Sequence, residues 1–90
     1  MVNASQKASE IRSWLESACW DCCGGDEAEA DKIFNDADML QDMVGDKIYD
    51  LVGGKKEDAL AVIAKMKENA HWALRKALQK TREHFEKFGK

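Results

Sequence analysis

The stretch Cys19-Trp20-Asp21-Cys22-Cys23 holds the residue types with the most obvious chemistry. A CxxC pair offers two sulfurs at a spacing suited to tetrahedral zinc, and Cys23 adds a third. His84 is the candidate fourth ligand, because in an up-down-up bundle the end of the first helix lies beside the late part of the third. Two features weigh against a site of Cys19, Cys22, Cys23 and His84. Adjacent cysteines seldom turn toward one ion, and no second CxxC follows. Thiol redox chemistry is the other active reading. A reactive CxxC normally begins at a helix N-terminus, where the positive dipole end favours the thiolate. This one falls at a helix end beside Glu16 and Asp21, and both influences disfavour it. The simplest reading makes Cys19 and Cys22 small hydrophobes of an apolar stripe, with Cys23 at the cap. Three clustered cysteines, odd in number, do not resemble a disulfide framework, so a reducing, cytoplasmic setting is the expectation.

His71 and His84 lack a nucleophile or carboxylate at catalytic spacing. No phosphate-binding glycine loop and no metal-carboxylate motif is present. The sequence therefore predicts neither an enzyme nor a cofactor.

A second constellation is electrostatic. Asp38, Asp42, Asp46 and Asp50 recur every four residues, which on a helix sets them on one face at steps of about 6 Å. Like charges at this spacing repel by a few tenths of a kcal/mol per pair, so stability alone would not select them. Such a row can be neutralised by lysines of the same bundle across a helix seam, or it can meet a basic partner, even one accustomed to a row of phosphates. Tyr49 sits beside the row and Trp20 is an aromatic off its own apolar stripe, which makes both candidate interface anchors. The charge is segregated along the chain. Residues 26–54 carry nine acids and two bases, whereas residues 55–90 carry ten bases and five acids. The basic residues of that last segment include Lys65, Arg75, Lys76, Lys80, Arg82 and Lys87. They follow a helical face only loosely, acids lie among them, and no nucleic-acid motif accompanies them. With a net charge of -3, this argues against direct nucleic-acid binding.

The elements that must position these residues are helices. Hydrophobic residues make up 44% of 90 and proline is absent, which permits one small helical domain over residues 1–90. No run approaches the length of a membrane span, and the opening MVNASQKASEIR has no leader-like apolar core. Gly24-Gly25 and Gly53-Gly54 divide the chain into three segments, each pair offering a helix end and a turn. The first, Ala4 to Cys22, has its stripe at Ala8, Ile11, Leu15 and Cys19, with Asn3 and Gln6 as a capping pair. The second, Glu27 to Val52, starts after Asp26. It keeps its stripe through Ile33, Ala37, Leu40, Val44 and Ile48, and Gly45 is its weak point. The third, Lys56 to Phe88, would be about 50 Å long if straight, so it must overhang or bend near Asn69 to Trp72. Trp14 and Trp72 fall at flanks that a helix seam could cover. The expected fold is all-α, an up-down-up three-helix bundle, or four helices if the second breaks at Gly45.

The functional expectation is a small acidic protein-protein interaction module. It would bind, and modulate or inhibit, a larger basic-surfaced protein, including one that handles nucleic acid. Asp38, Asp42, Asp46, Tyr49, Asp50 and Trp20 form the expected binding face. The alternatives are a zinc or thiol protein built on the cysteine corner, and a self-associating structural protein, with a homodimer using the third segment.

Overall fold

The computed structural model describes residues 3–89, without the side chain of Cys22. All regular structure among them is helical, in five helices: α1 (Ala4–Cys22), α2 (Glu27–Phe34), α3 (Ala37–Val52), α4 (Lys56–Lys67) and α5 (Trp72–Phe88). This corrects both the three-helix expectation and its four-helix variant. The extra boundaries fall at 35–36 and 68–71, and Gly45 lies inside α3.

Local chemistry makes the first break. Asp36 leaves the helical backbone region, and its carboxylate accepts the N–H groups of Asp38 and Met39 at 3.1 and 3.2 Å. That satisfies two of the otherwise orphaned donors that open α3. Asn35 ends α2, its side-chain amide donating to the Asp31 carbonyl at 2.9 Å. The apolar stripe keeps its phase across these two residues, so periodicity alone reads straight through them.

Geometry demands the second break. The longest dimension of the molecule is 38 Å, and a straight 33-residue helix would carry its apolar stripe well beyond that into water. After α4 the N–H groups of Glu68, Asn69 and Ala70 each donate to the carbonyl three residues back, and the helix stops. His71 then ties the two breaks together. Its Nε2 donates to the Phe34 carbonyl at 2.7 Å, and its ring stacks on Phe34 with centroids 4.2 Å apart.

The chain reversal at 68–71 sets α4 antiparallel to α5. The start of α1 lies against the end of α4, where Ser5, Ala8 and Arg12 face Met66 and Asn69, so these helices are antiparallel as well. α3 and α5 run parallel and adjacent: Phe34 meets His71 at one end, and Tyr49 comes near Phe85 at the other. Ile11 and Leu15, Leu40, Val44 and Ile48, Val62, Ile63 and Met66, and Leu74 and Leu78 fill one contiguous core. Each such buried side chain contributes roughly 1.5–3 kcal/mol relative to exposure. Thr81 is the buried polar residue among them, and its hydroxyl donates to the Ala77 carbonyl at 2.9 Å. Among the described residues, no helix is long and apolar enough to cross a membrane.

Candidate protein-binding face

Asp38, Asp42, Asp46 and Asp50 all lie on α3 and all are exposed, yet they are not equivalent. Residues four apart on an α-helix are rotated by about 40°, so the row winds around α3. Asp38 starts on the side facing α5. Its carboxylate accepts from the Lys80 ammonium at 2.9 Å. That hydrogen bond, then the Lys80 charge, and then the charge of Lys76 hold the Asp38 carboxyl below the usual aspartate range. Asp42 and Asp46 follow along the rim that α3 shares with α5, beyond the reach of Lys80. Among the described residues, no lysine, arginine or histidine nitrogen lies within 4 Å of Asp42, Asp46 or Asp50.

The base nearest these three carboxylates along the chain is committed elsewhere. Lys47 is the one basic residue of α3, and its ammonium lies over the Trp14 ring of α1, 5.1 Å from the centroid. The last turn of α3 contains no base, so Asp50 adds its charge to the negative end of the helix dipole. The start of the helix is the reverse case, since Asp36 and Asp38 stand at its positive end.

Asp42, Asp46 and Tyr49 also line a cleft of about 240 Å³ between α3 and α5, together with Thr81, His84 and Phe85. Gly45 forms part of its wall, and a Cβ there would meet Thr81 Cγ2 at 3.9 Å, an ordinary contact. Tyr49 is 57% exposed. Its ring lies close enough to Gly54 that a Cβ there would sit 3.5 Å away. The structure thus groups Asp42, Asp46 and Tyr49 around one cleft, with Asp50 one turn beyond. Trp20 is not part of this group. It lies on α1 with its indole against the turn, 3.6 Å from where a Gly25 Cβ would be, and remains 48% exposed.

The residues of the zinc reading fall in different surroundings. Cys19 is buried in the core, and Cys23 is half-buried at the C-cap of α1. The Cys22 part of that reading lies outside the described residues. His84 lines the α3/α5 cleft and packs its ring on Phe85 and Phe88. The premise that carried His84 toward the cysteines was a third segment lying beside the first, but α1 packs mainly on α4 while the α5 surface that bears His84 faces α3, so the two are not brought together. Among the described residues, no three His, Cys, Asp or Glu side chains are grouped to hold a metal ion.

The basic residues sort in the same way as the acids. Lys65 is 3.8 Å from Glu68, Arg82 is 2.8 Å from Glu86, and Lys87 lies over Phe88. Arg75 and Lys76 have no acidic partner within 4 Å among the described residues. Sequence reasoning missed that these two share an open face with Trp72, which is 65% exposed rather than covered by a seam. Their i, i+3 and i+4 spacing from Trp72 is the signal that could have found it. No family model, curated protein or solved structure matches this chain.

Proposed function

We propose that this protein is a binding module whose acidic α3 face docks on a lysine- and arginine-rich surface of a larger protein and modulates or blocks that surface by covering it. The observation that supports this reading is the uncompensated charge of Asp42, Asp46 and Asp50. These carboxylates repel one another, two of them stand at the unfavourable half of their helix, and the base within their own helix faces Trp14 instead. An external cationic surface relieves all three costs at once. Tyr49 supplies an aromatic face beside the row for a guanidinium or ammonium group. Asp38, already paired with Lys80, sits at the edge of this surface and contributes least. Trp20 is a separate anchor on α1. Association driven by such a face is steered by long-range charge and weakens as salt rises.

The test uses a lysine- and arginine-rich helical peptide as probe and titration calorimetry at low and high salt. Asp42→Asn, Asp46→Asn and Asp50→Asn together are expected to weaken binding about tenfold or more. A control removes the same charge from other helices with Glu16→Gln, Glu27→Gln and Glu57→Gln, and should change affinity far less. Equal loss in both variants would show that net charge, not this face, attracts the probe.

A further inference from the structure

The surface that neighbours the acidic row is its electrostatic opposite. A shallow, largely apolar depression of about 870 Å³ runs along the outer side of α5 and the end of α4, bordered by Lys67, Trp72, Arg75, Lys76, Lys80 and Glu83. Lys67 bonds to the neutral Gln79 side chain, and Arg75 donates to the Ala70 carbonyl at 3.3 Å. Neither bond removes a charge. Lys67, Arg75 and Lys76 are thus opposite in sign to Asp42, Asp46 and Asp50, and none of the six has an oppositely charged group within 4 Å among the described residues; Glu83 is the carboxylate on the basic rim. The Asp38–Lys80 bridge stands between the two sets and is the intramolecular example of the contact they could make. An aromatic accompanies each face, Tyr49 on the acidic one and Trp72 on the basic one.

We infer that the basic Trp72 face is a docking site for the acidic α3 face of a second copy of this chain. The occupant follows from charge complementarity. The depression wants anionic groups spaced by a helical turn around an aromatic, and α3 presents carboxylates at steps of about 6 Å. A long polyanion fits less well, because residues 26–54 hold their acidic excess on the adjacent helices and would repel it. The net charge of -3 per copy opposes approach only over the Debye length, about 10 Å at 0.1 M salt, and at contact the local opposite charges dominate. The two faces are different surfaces, so the contact is head-to-tail. It also uses the α3 face of the proposed function, and so rests on that reading: self-docking covers the face, and a basic partner competes it open.

Light scattering of the intact chain from micromolar to millimolar concentration tests this. The mean mass should rise with concentration at low salt and return to that of the monomer near 1 M salt, where the Debye length is about 3 Å. Two variants separate the faces: Asp42→Asn with Asp46→Asn and Asp50→Asn, and Trp72→Ala with Lys76→Glu. These positions are exposed, and helicity checked by circular dichroism should be unchanged. Each variant alone should remain monomeric. Their mixture should form a dimer of one copy of each and nothing larger, because only one productive pair of faces remains. The Trp72→Ala, Lys76→Glu variant should still bind the basic peptide. A wild-type chain that stays monomeric throughout, or a Trp72→Ala, Lys76→Glu variant that associates like wild type, would overturn the inference while leaving the peptide result to judge the acidic face itself.

Discussion

The two ends of α3 use the same residue type to opposite effect. At its start, Asp36 caps the helix through two backbone N–H groups and Asp38 bonds to Lys80. Both carboxylates stand at the positive end of the dipole. Toward its finish, Asp46 and Asp50 have neither a cap to make nor a cation within 4 Å among the described residues, and the dipole there is negative. Asp42 lies between them, one turn past the Lys80 bridge. Aspartate at the first end is explained by the fold of the chain itself. Aspartate at the second has no such explanation within the chain, and that difference is the ground for the binding face proposed at Asp42, Asp46 and Asp50.

Single substitutions should separate the two ends by sign. Asp36→Ala removes the cap and is expected to lower stability by about 0.5–2 kcal/mol, measured by denaturant unfolding. Gly45→Ala, in the middle of the helix, should raise stability by up to about 1 kcal/mol, since alanine favours helix and its Cβ finds ordinary space beside Thr81. A loss there would mean that α3 and α5 approach more closely than their present spacing. Asp50→Asn should raise stability by about 0.3–1 kcal/mol at low salt by relieving the dipole. A decrease would mean that this carboxylate serves the fold after all. The smallest effect belongs to pH. Asp38 is depressed by Lys80, so its contribution is present above the unfolded aspartate value, near pH 4, and is lost as pH falls through the lower folded value. Its side chain is 84% exposed, so the effect is slight and screened by salt. Lys80→Met should flatten that part of the stability profile.

What was legible in the sequence is what local chemistry decides. The bounds of α1 and the Asn3 cap, whose Oδ1 accepts the Gln6 N–H at 3.0 Å, coincide with the sequence reading, as does the Asp26 cap of α2. The first break was harder: Asn35-Asp36 carries capping chemistry, but an apolar stripe in unbroken phase masks it. The second falls where the length of the third segment called for an overhang or a bend, near Asn69 to Trp72, and what was not legible there is its pinning by His71 reaching Phe34, 37 positions distant. The acidic row was visible as a row, but its division into one paired and three unpaired carboxylates was not. That division depends on α5 lying beside α3, which follows only once the third segment has turned back. Phe88 continues the apolar stripe in sequence, yet it is 65% exposed at the last residue of α5, with His84 against its ring.

Thermal unfolding of the dilute triple variant Asp42→Asn, Asp46→Asn, Asp50→Asn, read against wild type at low salt, addresses the central point most directly. If these carboxylates are a strain the chain carries for an outside surface, the variant gains about 1 kcal/mol and melts roughly 4–8 °C higher. A variant that melts lower than wild type would show that the three aspartates support their own bundle, and the acidic face would lose its reason to exist.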